Sequence, residues 1–244
     1  MAARSTKQSS IPSVWARPQR ESDQPTLSRA TIVREAIAML DAEGVEALSM
    51  RKLATRLNAG AASLYRHVAT KDELMELAFD EVAAEIHVPP ADSPDWRAAA
   101  AEAAGSFRTT ALRHPWISSV LGQAGLAYLG PNLMAFSERL AALFTAAGFA
   151  KPSGPIDTLL SYVTGMSTTE AAWLITVARS GETEADFIAR LMPAAQQAAA
   201  GHEHLAEGYA DAVSATADPV ALRDEKFAYG LDVVLDGLAL RLEA

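Results

Sequence analysis

The stretch that most limits what this chain can fold into is residues 49–68, SMRKLATRLNAGAASLYRHV. Its first half carries apolar side chains with the i, i+3, i+4, i+7 spacing of one buried helix face: Met50, Leu53, Ala54 and Leu57. Asn58 follows, and asparagine tolerates the left-handed backbone that closes a helix. Small residues fill the turn at 59–62, and residues 63–68 form a second helical segment. The pattern predicts two short helices joined by a tight turn.

The second segment has an inner and an outer side. Leu64 and Val68 are four residues apart and face inward on a helix, which leaves the other side chains to point away: Ser63, Tyr65, Arg66 and His67. A short helix with polar, aromatic and basic side chains after such a turn describes a helix-turn-helix, whose second helix enters the major groove of DNA. A plain helical hairpin inside an all-α core is the structural alternative.

The region from Leu27 to Ile86 resembles the N-terminal domain of TetR-type transcriptional repressors. Most of the matching residues lie in EGVEALSMRKLATRL, SLYRHV and TKDEL, and the set is Ala36, Gly44, Leu53, Ala54, Leu57, Leu64, Tyr65, His67, Val68, Lys71 and Leu74. The resemblance implies a helix-turn-helix domain over residues 27–88 and a fourth helix that joins it to a ligand-binding domain. From the residues themselves, Ser28 is expected to cap the first helix and Gly44 to end it, and the fourth helix is expected to run from Lys71 to about His87.

Charge is distributed unevenly along the chain, whose formal net charge is −9. Residues 1–71 carry eleven Lys or Arg against six Asp or Glu, whereas residues 72–244 carry ten against twenty-four. The net charges of the two parts are therefore +5 and −14. A basic end on an acidic molecule suits the phosphates of DNA and directs the duplex to that end.

We predict two kinds of DNA contact. The groove and its phosphates are contacted by Ser63, Tyr65, Arg66 and His67, and the phosphate backbone is held by Ser49, Arg51 and Lys71. Arg66 is the candidate for reading a guanine edge, which a guanidinium can contact with two hydrogen bonds. Lys71 follows Thr70 in a capping box with Glu73, so it lies at the positive end of the fourth helix.

Residues 1–26 have the polar, proline-broken composition of a disordered segment, and basic residues run along it: Arg4, Lys7, Arg17 and Arg20. Two interpretations stay open. The segment is either a passive leader or a basic arm that places Arg17 or Arg20 in a minor groove. Trp15 and Ile11 could equally hold the arm against the protein.

Beyond the DNA-binding domain the periodicity is helical throughout. Residues 88–94, VPPADSP, separate the domains, with Ser93 as a cap and Pro94 as the first helical residue. Helices are expected near 94–113, 115–122, 131–148, 155–180, 183–200 and 219–242, with a loop at 200–218. The predicted fold is all-α: a helix-turn-helix domain with three helices, and a larger helical domain for ligand binding and dimerisation over residues 94–244.

Two helices are apolar on more sides than a monomer needs, within 156–178 and within the last helix. Paired with the same two helices of a second chain, they would form a four-helix interface with two-fold symmetry. A homodimer of this kind reads a near-palindromic operator. The ending KFAYGLDVVLDGLALRL resembles the last helix of the tetracycline-repressor branch of the family.

That branch implies a small-molecule effector. Apolar and aromatic candidates for the lining of its site are His87, Phe107, His114, Trp116, Met134, Tyr162, Met166 and Trp173. His87 and Phe107 fall on positions that contact the drug in the tetracycline repressor. The branch's magnesium-binding histidine falls on Val120 or Leu121, and an apolar side chain cannot bind Mg²⁺. We therefore expect an aromatic or apolar effector without a metal, and no cofactor.

Enzymatic function is not indicated, because the sequence has no GxSxG, P-loop, HExxH or strand-preceded GxGxxG motif. His202 and His204 could share a metal only in a loop. The chain has no cysteine, no long apolar run and no signal-peptide pattern, so a cytoplasmic protein is expected. An all-α oligomer without DNA binding is the alternative, and steep salt dependence of DNA binding would distinguish the two.

Overall fold

The structure is a computed structural model that describes residue 15 and residues 27–117, 120, 130–202, 204–205 and 218–242. The predicted contacts of Arg17 and Arg20 lie outside these residues, as do Leu121, half of the expected helix at 115–122 and most of the expected loop at 200–218. Within the described residues the secondary structure is helical and contains no strand, which confirms the predicted fold class.

The helices follow the predicted order, and we number them along the chain. Their bounds are α1 Arg29–Glu43, α2 Met50–Arg56, α3 Ala61–Leu64, α4 Lys71–Ala83, α5 Trp96–Arg113, α6 Pro131–Ala146, α7 Ser153–Ser180, α8 Glu184–Ala199 and α9 Pro219–Leu242. A short 3₁₀ turn, Val45–Ala47, lies between α1 and α2.

Local capping groups set the ends of the first helices. The Ser28 hydroxyl accepts a hydrogen bond from the Thr31 N–H at 3.1 Å and begins α1. Gly44 ends this helix with a φ of 80°, a left-handed conformation that glycine adopts without strain, and its N–H donates to Leu40 O. The Thr70 hydroxyl caps α4 through the Glu73 N–H, while the Glu73 carboxylate accepts from the Ala69 N–H. These ends confirm the predicted caps.

Two predicted boundaries are wrong. The N-cap of α5 is Asp95, whose carboxylate accepts from the Arg97 and Ala98 N–H groups at 3.0 and 3.1 Å, whereas the Ser93 hydroxyl donates to Pro90 O. Helix α4 ends at Ala83 rather than near His87, because the chain tightens into successive i to i+3 hydrogen bonds after it.

The chain divides into two compact units, residues 1–156 and 157–244. The core of the first unit contains fully buried side chains from α1 to α4: Ile32, Met39, Leu40, Leu53, Leu64 and Leu74. Trp15 packs against this core, as expected for a residue that holds the N-terminal segment to the protein. In the second unit Leu159 and Val163 of α7 are buried, as are Phe227, Leu231 and Leu235 of α9. No described helix is long and apolar enough to cross a lipid bilayer.

Candidate DNA-binding surface and effector cavity

The turn between α2 and α3 has the geometry that the sequence predicts. The Leu57 N–H donates to Leu53 O at 3.0 Å, and Asn58 then takes the left-handed conformation with a φ of 49°. The Ala59 N–H donates to Ala54 O at 2.9 Å, after which Gly60 begins the next helix. Helix α3 covers Ala61–Leu64 instead of residues 63–68, and hydrogen-bonded turns continue it as far as Val68.

Three side chains of this segment share an exposed surface. Tyr65 is 52% exposed, Arg66 is exposed beside it, and the Arg66 guanidinium donates to the Ser63 hydroxyl at 3.2 Å. On the opposite side Leu64 and Val68 are completely buried. The predicted division into inner and outer residues is therefore confirmed for Leu64, Val68, Tyr65 and Arg66, while Ser63 is half-buried at the edge of the exposed side.

His67 departs from that division. The sequence predicts an outward side chain, but His67 is only 8% exposed, so this prediction is wrong. Helix α3 ends at Leu64, and the tighter turns after it rotate residue 67 away from the helical direction. Arg29 of α1 also donates from Nε to His67 O at 3.3 Å. His67 thus lies between the exposed surface and the core.

The three residues predicted to hold the phosphate backbone of DNA have different surroundings in the protein. The Ser49 hydroxyl caps α2 by accepting from the Lys52 N–H at 3.2 Å. Arg51 is exposed in the first turn of the same helix. Lys71 Nζ donates to Val45 O at 3.1 Å, which uses one of its three N–H donors and leaves two.

Other basic residues of α2 are paired with acids of α1. Lys52 binds Glu43, and Arg56 binds both Glu35 and Glu43. The hydrogen bond from Lys52 lowers the pKa of Glu43. These pairs fix α2 on α1, whereas Arg51 and Arg66 project from the surface.

Two of the predicted effector-lining residues form a polar cluster with α1. His114 Nδ1 and Trp116 Nε1 lie 2.7 and 2.8 Å from the same carboxylate oxygen, Asp41 Oδ1. His114 Nε2 lies 3.3 Å from Glu85 Oε2. Both rings are buried. Their nitrogen atoms face these carboxylates.

The remaining candidates of the first unit are dispersed. His87 is exposed, with Nε2 at 3.3 Å from Glu102 Oε1. Phe107 is buried, its ring centroid 6.3 Å from that of Phe136. Met134 is exposed and lines an open groove formed by α6 and the beginning of α7.

The second unit contains a cavity of about 450 Å³ that includes two predicted lining residues, Met166 and Trp173 of α7. Ile188 of α8 and Leu222 of α9 complete its apolar lining. Tyr162, also predicted, instead donates its hydroxyl proton to Phe227 O at 2.6 Å. Ile188 and Leu222 have no local sequence signal of a ligand site, because they become neighbours of α7 only through tertiary packing.

A hydrogen-bonded ionic network forms one wall of this cavity. Arg223 Nε donates to Glu170 Oε1 at 3.0 Å, and the same guanidinium donates to Glu184. Trp173 Nε1 donates to the other Glu184 oxygen at 2.6 Å. Burial opposes the charge of Arg223, but the hydrogen bonds to Glu184 and Glu170 outweigh it and raise the Arg223 pKa. The network positions Trp173 in the cavity wall.

Two models of known protein families together match most of the chain. Residues 32–78 match the family model described as "Bacterial regulatory proteins, tetR family", and residues 88–242 match "Tetracyclin repressor-like, C-terminal domain". The chain belongs to the TetR family. As a TetR protein it is a DNA-binding transcriptional regulator and not an enzyme.

Curated relatives extend this TetR assignment. An HTH-type transcriptional regulator of Saccharopolyspora erythraea is 40% identical over 176 residues, which are 69% of this chain and 72% of that protein. The HTH-type transcriptional repressor DrrR1 of Streptomyces coeruleorubidus is 33% identical over 220 residues, which are 88% of this chain and 78% of the repressor.

Among solved TetR structures, ActR from Streptomyces coelicolor in complex with actinorhodin superimposes with a TM-score of 0.71 at 30% identity. The match covers 89% of this chain and 99% of ActR. The likeness thus includes both the TetR DNA-binding region and the region beyond it.

Proposed function

We propose that this TetR protein is a homodimeric, cytoplasmic repressor that a small-molecule effector releases from a near-palindromic operator. The observation that carries the proposal is the pair of exposed side chains Tyr65 and Arg66, beside Ser63, on the second helix of a helix-turn-helix and the hydrogen-bonded turns that continue it. In this motif the second helix lies in the major groove.

Roles on the DNA surface follow from exposure and hydrogen bonding. Arg66 is proposed to read a guanine edge, with its guanidinium oriented by Ser63. Arg51 and Lys71 are proposed to bind phosphates, together with Ser49 and, from the N-terminal arm, Arg17 and Arg20. For His67 we propose a bracing role behind this surface, because the side chain is buried.

A second copy of the chain is the proposed partner of α9. This helix exposes large apolar side chains at 229, 233 and 240, and Tyr229 is 74% exposed. Large exposed apolar side chains on one helix are typical of a protein interface. A two-fold dimer through this helix would present two recognition surfaces to two operator half-sites.

The proposed effector is an aromatic or apolar molecule bound in the C-terminal region. A cavity of about 450 Å³ has the size of typical small-molecule sites, which are about 300–1,000 Å³. Trp173 and Met166 give it the apolar surface that an aromatic ring system requires. The solved structure of ActR, a structural neighbour, is a complex with actinorhodin, which supports a small-molecule effector for this protein as well.

The proposed mechanism is a population shift. The effector binds one state of the protein more tightly and changes the position of α4, and with it the separation of the two recognition helices. Because a rigid dimer must fit two half-sites one or more helical turns apart, a small change of separation lowers operator affinity.

The test is fluorescence anisotropy of the purified protein with DNA that flanks its own gene, measured across a salt series. We expect saturable binding that weakens steeply as salt rises and a protected near-palindrome in a footprint. Actinorhodin is then the first compound to add in a release screen. Binding to all flanking fragments that is no tighter than binding to random DNA would contradict the proposal and favour a helical oligomer without operator recognition.

A further inference from the structure

Helix α6 is capped by a residue of another helix. Asp80 of α4 is 3% exposed, and its Oδ1 accepts hydrogen bonds from the Asn132 and Leu133 N–H groups at 3.0 and 2.9 Å. Its Oδ2 accepts from Asn132 Nδ2 at 3.1 Å. The N-cap residue of α6 itself is Gly130, which has no side chain to serve this purpose. The first N–H groups of α6 are therefore satisfied by α4.

Three other helices are capped by the side chain of their own N-cap residue. Ser28, Thr70 and Asp95 each accept from backbone N–H groups two or three residues later, within their own helix. Such a cap orients only the beginning of its own helix. The Asp80 cap differs because it joins residues more than fifty positions apart and connects two helices.

The glycine at 130 is required by this contact. Its φ of −63° is open to any residue, so glycine is not needed for backbone conformation. An ideal Cβ at this position would nevertheless overlap the Asp80 side chain, closer than the 3.0 Å that Cβ atoms keep from other heavy atoms. Position 130 is thus occupied by the residue that lets α4 approach the beginning of α6.

The placement of Asp80 is energetically unfavourable in one respect. Burial raises the pKa of Asp80, although the hydrogen bonds from Leu133 and Asn132 act in the opposite direction. A serine or aspartate at 130 would cap α6 from its own N-cap position, without a residue of another helix. What the buried carboxylate adds is the connection between α4 and α6.

We propose that Asp80 is the positioning residue through which α6 sets the position of α4 and thereby of the DNA-reading surface. Helix α4 begins inside the segment that matches the TetR DNA-binding model, and α6 lies inside the segment that matches the C-terminal model. Any change of α6 is then transmitted to α4 as a displacement of one rigid pair. The inference rests on the proposed function, because it assigns a coupling role within the same repressor.

The experiment uses the full chain and three variants: Asp80→Ala, Asp80→Asn and, as a matched control, Asp95→Ala, which also removes a capping carboxylate. Anisotropy first measures binding to the flanking DNA. Hydrogen–deuterium exchange of the peptide with Asn132 and Leu133 is then compared with and without that DNA. Because coupling is reciprocal, DNA that holds α4 should slow exchange in α6 by roughly 5- to 150-fold in the wild type, the range typical of allosteric coupling.

We expect the same slowing in Asp95→Ala and its loss in Asp80→Ala. Asp80→Asn should retain it, because the asparagine Oδ1 still accepts from both backbone N–H groups and the Asn132 amide can rotate to present its oxygen. If Asp80→Ala fails to fold, Asn132→Ala removes only the side-chain hydrogen bond and should reduce the slowing partially.

If DNA slows exchange in Asp80→Ala as much as in the wild type, the coupling role is overturned while DNA binding stays established. If Asp80→Ala does not fold, equal slowing in Asn132→Ala and the wild type has the same meaning. Exchange in wild-type α6 that is unaffected by bound DNA would also overturn it. Absence of DNA binding in the anisotropy measurement is a separate result, since it rejects the proposed function and with it this inference.

Discussion

The proposed DNA-binding surface and the cavity wall satisfy the hydrogen bonding of their polar groups in different ways. Ser63 and Arg66 are three residues apart, lie at the surface and bond to each other. Glu170, Glu184 and Arg223 come from three helices and bond over 39 and 53 residues of chain. The first surface can therefore change its side chains without affecting the fold, whereas each member of the cavity network supports both stability and the shape of the cavity.

The largest expected effect is on the cavity network. Replacing Arg223 by Met removes the guanidinium that binds the carboxylates of Glu170 and Glu184, whose side chains are only 8% and 15% exposed. Breaking a buried ion pair in this way costs about 3–5 kcal/mol of unfolding free energy. Urea unfolding of Arg223→Met measures it. Arg190→Ala, which breaks a surface pair with Glu182, is the control and should leave the midpoint unchanged.

A midpoint of Arg223→Met equal to that of the wild type would show that the network contributes to shape only. The cavity wall would then tolerate side-chain changes without loss of stability, as is expected of the proposed DNA-binding surface.

The next effect is on DNA binding. Arg66→Ala should weaken operator binding by about 1–3 kcal/mol and relax specificity at one position in each half-site, with no change in thermal stability. Lys71→Ala should weaken all sequences alike, because a phosphate contact carries no base information. Anisotropy with a panel of mutated operators distinguishes the two. An even loss across the panel for Arg66→Ala would contradict its role in base reading.

The smallest effect is the pH dependence of Asp80, whose pKa in the folded protein is raised above 3.8. A raised carboxyl pKa contributes stability that is complete below pH 3.8 and is lost as pH rises through the folded-state pKa. Asp80→Asn cannot titrate at this position. The free energy of unfolding of the wild type minus that of Asp80→Asn should therefore decrease as pH rises from below 3.8. Urea titrations of both proteins measure this difference, and a difference that increases with pH would contradict the assignment.

The sequence predicts those features that depend on neighbouring residues. The cap at Thr70, the helix end at Gly44 and the left-handed Asn58 each follow from side chains within a few positions. The same reasoning places Tyr65 and Arg66 on the surface, because Leu64 and Val68 define the buried side.

Features that depend on tertiary contacts cannot be predicted from neighbouring residues. His67 is buried because α3 ends one turn earlier than expected, and its carbonyl binds Arg29 of α1. His114 and Trp116 are residue types that often line ligand sites, but a ring nitrogen of each is hydrogen-bonded to Asp41 of α1. Asp80 has no local pattern at all, since its partners are at 132 and 133.

The close approach of Gly130 to Asp80 has a consequence for how this protein can diverge. A side chain at 130 is excluded while the aspartate is present, and a smaller residue at 80 leaves the N–H groups of α6 without an acceptor. Neither a side chain at 130 nor a smaller residue at 80 can arise first without loss, so the two positions are expected to be inherited as a pair. Descendants that abandon it would carry a capping serine or aspartate at 130 together with a small residue at 80, and would have lost the connection between their two helices.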